Sequence, residues 1–143
     1  MKIFKKTIIK NKRKNKASPG ISISRDIDEN IARLKNDFGH DSDLVVHYFK
    51  LQNIRGLVCA NIYIKSLVDK RTIDSLSIEL SSLKCKWLCD NTDLNFDMLM
   101  NCLAGLRDAR EGSDYEAIYT ELLSGNTVFL VDGCEKFLVV NTN

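Results

Sequence analysis

No stretch of this 143-residue chain approaches the roughly 20 consecutive apolar residues that a membrane-spanning helix needs. Its first twenty residues, MKIFKKTIIKNKRKNKASPG, also lack the apolar centre of a secretory signal, since no apolar run there exceeds the two residues of Ile8-Ile9. No P-loop, GxGxxG, GxSxG or HExxH sequence is present, so the usual signatures of phosphate cradling, serine-nucleophile hydrolysis and zinc proteolysis are missing. Histidine is scarce, with His40 and His47 alone. Cysteine is odd in number, at positions 59, 85, 89, 102 and 134. An odd count without a secretory signal argues against a disulfide framework. Cys85-x3-Cys89 would place two thiolates on one side of a helix, but structural zinc takes four ligands and neither histidine is spaced as a second pair. Reduced thiols are expected, and no catalytic, cofactor-binding or metal-ligating residue is assigned.

What is present begins with charge. The net charge of +2 hides a segregation: residues 1–16 carry eight of the 21 basic residues and no acid. The rest holds thirteen basic against nineteen acidic residues, a net of −6. Residues 1–22 read as a basic flexible tail and 23–143 as one folded domain. Such a tail is drawn to anionic lipid or nucleic acid by charge alone, or serves only as a solvated arm. No aromatic residue interleaves with its lysines beyond Phe4, and the acidic body repels phosphate, so a specific nucleic-acid partner is not expected.

The body opens with a helix over Ser24–Phe38, where Ile27, Ile31, Leu34 and Phe38 share a face, acidic residues sit in the first turn and Gly39 marks the stop. Leu44–Leu51 and Leu57–Ile64 are apolar runs of strand length joined by QNIRG, a hairpin expected to be buried on both faces. His47, within the first run, reads as a packed histidine rather than a catalytic one, since no partner lies near it in sequence. After Asp69, a second helix follows from the stripe Ile73, Leu76, Leu80, Leu83 and Trp87. Phe96–Leu103 reads as a third helix, and Gly105–Gly112 leaves a short strand open. Ser113-Asp-Tyr-Glu116 reads as a capping box opening a helix that carries Tyr115, Ile118, Tyr119 and Leu122.

Everything else must be fitted around Glu121–Thr142. Gly125 stops that helix; Thr127–Val131 and Phe137–Val140 are strands, and Asp132-Gly133 supplies the turn. Both strands are apolar at nearly every position, so layers on both sides are expected. The fold class is therefore α/β (α+β), a small mixed sheet built from two hairpins and packed by about four helices. Asp41, Asp43, Asp69, Asp90, Asp93 and Asp97 lie beside turns and helix starts, where carboxylates act as caps. An enzyme or a small cytosolic ligand-binding domain stays as the alternative to an interaction module, and a pocket with convergent acid and base groups would favour it.

Three segments together resemble a known family: Asp43-LVVHYFKL, Ile64-Lys-Ser-Leu-Val-Asp-Lys70, and LLSGNTVFLVDG over 122–133. In order and spacing they are similar to the A subunit of GerA-type spore germinant receptors, from about Asp41 to Asn143. His47 stands where that family often has arginine, and Lys65-Ser66 replaces an Asp-Gly turn. The resemblance implies a domain on the cytoplasmic side of the spore inner membrane, ahead of membrane helices, in a receptor with B and C subunits that turns nutrient sensing into ion release. It implies binding, self-association and relay rather than catalysis. It also implies a second soluble lobe after the hairpin, so that this chain is expected to be the first lobe alone, soluble and without a membrane span.

Overall fold

The computed structural model describes residues 20–51, 56–81 and 109–143. Residues 1–19 of the expected basic tail, Leu83 and Trp87 of the expected second helix, the Phe96–Leu103 helix, and Cys85, Cys89 and Cys102 lie outside these residues. Among the described residues eight elements follow in order: α1 (Ile27–Asp37), β1 (Leu44–Leu51), β2 (Leu57–Ile64), α2 (Lys70–Ser81), β3 (Arg110–Gly112), α3 (Tyr115–Leu123), β4 (Thr127–Val131) and β5 (Phe137–Val140). The five strands make one sheet in the order β1-β2-β4-β5-β3. All four pairings are antiparallel, so the sheet is not the mixed one expected. Its two hairpins sit side by side through β2 and β4, where Cys59 faces Val131 and Ile62 faces Val128. β3 is the short strand left open over Gly105–Gly112.

Strand alternation divides the sheet into two faces. Ala60, Ile62 and Ile64 of β2, Val128 and Leu130 of β4, and Phe137 and Val139 of β5 join one core with Ile27, Ile31, Leu34 and Phe38 of the α1 segment and Ile118 and Leu122 of α3. The other face carries Cys59, Asn61, Thr127, Phe129, Val131, Leu138 and Val140, all buried as well. Apolar material on both sides of β4 and β5 is thus fully used. The first hairpin differs: β1 lies at the sheet's end, its His47 and Tyr48 are exposed, and only β2 is buried on both faces. An end strand has one neighbour, so its apolar run secures half the cover expected from it.

Local chemistry sets the ends of the helices. Asp26 caps α1 by accepting from the amides of Asp28 and Glu29, and Gly39 leaves the helix at φ +64°. Asp69 starts α2, accepting from Arg71 N at 3.3 Å and Thr72 Oγ1 at 2.8 Å. For α3 the cap is Asp114, which accepts from Ala117 N at 2.7 Å, and not the expected Ser113. The Ser113 carbonyl instead accepts from Ile23 N in a short antiparallel contact between residues 21–23 and 113–115. That contact pairs Asp114 with Ser22 and holds Asp114 in the extended backbone (φ −125°, ψ 159°) of a cap, so the helix starts one residue on.

Gly125 ends α3 at φ +84°, and a Cβ there would lie 2.6 Å from the Leu67 carbonyl oxygen. The chain after β5 returns to this corner. Thr142 donates to the Gly125 carbonyl at 2.9 Å, Asn143 Nδ2 donates to Ser124 O at 3.0 Å, and the Thr142 carbonyl accepts from Asp69 N at 2.7 Å. The starts of α2 and β4 are thereby tied to the last residues of the chain.

Candidate functional site

Asn30 organises the helical side. Only 1% exposed, it accepts through Oδ1 from Ser24 N at 2.8 Å and the Tyr115 hydroxyl at 2.6 Å, and donates through Nδ2 to Ser24 O at 2.7 Å. One amide, bonded through both its oxygen and its nitrogen, therefore joins α1, α3 and the segment before α1. Arg33 lies 4.4 Å above the Tyr115 ring, and the Tyr119 hydroxyl donates to Asp37. Burial, then the Asp37 acceptor and its charge, pushes the Tyr119 hydroxyl well above the usual phenol range. These groups are committed to one another and hold the two helices together.

The start of α1 borders an open hollow lined by Arg25, Asp26, Asp28, Val58, Asp132 and Gly133. Its amides are already taken, with Asp132 accepting from Ile27 N at 3.2 Å and Gly133 N donating to the Arg25 carbonyl. Carboxylates thus occupy the helix start where an anion would bind.

The other face holds the less committed groups. His47 and Asn61 are cross-strand partners on β1 and β2, so their side chains leave the sheet on the same side. With Tyr63, and with Ile73, Asp74, Leu76 and Ser77 of α2, they line a cavity of about 230 Å³ whose floor also includes Thr127. Asn61 is 6% exposed and its Oδ1 has no hydrogen-bond partner. Leaving a buried amide oxygen unpaired costs about 1–3 kcal/mol. Asp74 and His47 stand exposed at the rim. His47 is therefore not the packed histidine expected; the end position of β1 exposes it. Burial and then the Asp74 charge raise the Tyr63 hydroxyl above its ordinary value. Asn61 drew no notice in the sequence, although it is the lone amide in the apolar run LVCANIYI.

Cys59 and Cys134 approach each other at the opposite end of β2. Burial foremost, then the Cys134 thiol and Asp132, push the Cys59 thiol up to about 12, and Cys134 is raised mainly by burial. Both therefore stay protonated at neutral pH, which makes them poor nucleophiles and poor metal ligands. Among the described residues, no three His, Cys, Asp or Glu side chains gather as a metal site, and no helix is long and apolar enough to cross a membrane.

Fold and site together define an α+β domain with an antiparallel sheet, helices fastened on one side and a small polar groove on the other. The family model described as Bacillus/Clostridium GerA spore germination protein matches residues 32–143, and the chain belongs to that family. It is 28% identical over 122 residues to spore germination protein KA of Bacillus subtilis (strain 168), a match covering 85% of this chain and 22% of that protein. Its fold matches the crystal structure of the N-terminal domain of the A subunit of the Bacillus megaterium spore germinant receptor GerK3, with a TM-score of 0.74 and 22% identity, over 87% of this chain and 49% of that one. The chain thus spans about a fifth of the curated relative's length and half of the solved domain. GerA proteins are germination proteins and not a known enzyme family.

Proposed function

We propose that this chain is a non-catalytic interaction and relay domain of a germinant receptor A subunit, held at the cytoplasmic side of the spore inner membrane. The observation that carries the reading is the family match over residues 32–143. It is supported by a set of buried and half-buried polar groups devoted to joining α1 and α3. The domain body spans residues 23–143, and the basic residues before it add attraction to anionic lipid. B- and C-type subunits, and further copies of the chain, are its partners. The test is co-purification of the tagged chain, co-expressed with the B- and C-type subunits of its own receptor. Recovery of either subunit at a fixed ratio is expected. Recovery of neither subunit in any mild detergent, together with turnover of a small substrate, would overturn the reading.

A further inference from the structure

We propose that the outer edge of β1 pairs antiparallel with the same edge of a second copy of the chain, joining the two five-stranded sheets into one. This rests on the reading that further copies of the chain are its partners, and it adds the surface and its geometry. Lys65 N donates to Asp43 O at 2.8 Å, one step before the register begins at Leu44 opposite Ile64. Bonded and unbonded pairs alternate in an antiparallel ladder, so Val45, His47 and Phe49 bond to β2. Leu44, Val46, Tyr48 and Lys50 therefore turn their backbone groups outward. The bond from Asp132 N to Val58 O fits this phase, because Val58, opposite Lys50, uses its backbone toward β4 instead. Among the described residues, no backbone group pairs with the outward groups of Val46, Tyr48 and Lys50.

Exposed edges are ordinarily kept short, bulged or interrupted by proline. β3, at the other end of the sheet, has three residues. β1 has eight, its register advances one residue at a time without a bulge, and the chain's single proline is Pro19. Charge identifies the strand that takes this edge. Asp41 and Asp43 precede β1 and Lys50 stands near its end, and none of the three is in an ion pair among the described residues. A strand acidic at its start and basic at its end complements itself only when reversed, which is what a two-fold axis imposes. With the axis on His47, Leu44 meets the second copy's Lys50 and Val46 meets its Tyr48, so every outward residue is used. Each Lys50 then comes beside the other copy's Asp43.

The test is sedimentation of the chain over a range of concentrations. A monomer–dimer equilibrium is expected, with a Kd on the order of 10–100 µM, because one strand pair lies at the low end of interface sizes. Tyr48→Pro removes one outward N–H and an exposed side-chain bond to Asp28, but no backbone bond to β2. It should raise the Kd roughly tenfold while circular dichroism shows the chain folded. Lys50→Glu, an exposed change, sets acid against acid and should raise the Kd roughly threefold. His47→Cys should give a disulfide-linked dimer under mild oxidation, beyond any seen with the wild-type chain or with Val45→Cys, since only residue 47 meets its own copy. A chain monomeric at every concentration, or a dimer indifferent to these substitutions, would overturn the proposal. So would a monomeric chain whose recovery of a B- or C-type subunit is abolished by Tyr48→Pro, which would give the edge to another subunit. Because subunit recovery is read separately, absence of the dimer would remove the edge pairing alone and leave the receptor reading standing.

Discussion

At the scale of single residues, the most consequential side chain is a buried amide. Asn30 makes three hydrogen bonds through its amide to Ser24 and Tyr115. Asn30→Ala would leave the Tyr115 hydroxyl and the Ser24 backbone groups without those bonds, at a cost of about 2–4 kcal/mol in chemical denaturation. Tyr115→Phe removes one of the three bonds and should cost about 1 kcal/mol, with the double variant less than additive. Cys59 offers a second test through pH. Its thiol stays protonated in the fold up to about 12, whereas an unfolded cysteine ionises nearer 8.5. A folded pKa above the unfolded one gives stability that is complete below the unfolded value and falls as pH rises toward the folded one. Unfolding free energy should therefore drop between about pH 9 and 12, by on the order of 1 kcal/mol per pH unit from this group, and Cys59→Ala should flatten the slope. Neither residue was legible as a keystone in the sequence. Asn30 looked like one more polar position on a helix, and its partner Tyr115 lies 85 residues away.

At the scale of elements, the caps separate what the sequence says from what the fold decides. Asp114→Ala should cost α3 about 1 kcal/mol in thermal or denaturant unfolding, while Ser113→Ala should change little. The opposite ranking would restore Ser113 as the cap. The sequence offers two adjacent residues able to cap, and only the pairing of residues 21–23 with 113–115 chooses between them. Where the signal was purely local it carried through: the stripe of α1, the stop at Gly39 and the Asp132-Gly133 turn all stand where their side chains or backbone freedom put them. Gly125→Ala joins both kinds of reason, since it strains a φ of +84° and drives a Cβ to 2.6 Å from the Leu67 carbonyl. The expected outcome is a loss of more than about 1 kcal/mol, seen as a lower melting temperature.

At the scale of the whole molecule, strand direction and strand position were the features least available from sequence. Apolar runs announce burial, yet β1 has the same apolar character as β2 and still exposes His47 and Tyr48, because it lies at the end of the sheet. The groove was hidden for a related reason, since Asn61 and Asp74 border one cavity only when α2 is placed beside β2. The second hairpin is the opposite case, with every residue of β4 and β5 buried as its uninterrupted apolar character requires. Leu130→Ala and Phe129→Ala, on opposite faces, should each cost about 2–5 kcal/mol, with no change in association of the folded chain. The central claim is that this domain serves a germinant receptor by contact and not by chemistry. The most direct measurement is germination of spores whose A subunit lacks these residues while the rest of the receptor is retained in the membrane. The account predicts that the nutrient response is lost, with the B- and C-type subunits depleted from the inner membrane or uncoupled from it. An unchanged nutrient response in such spores would contradict it.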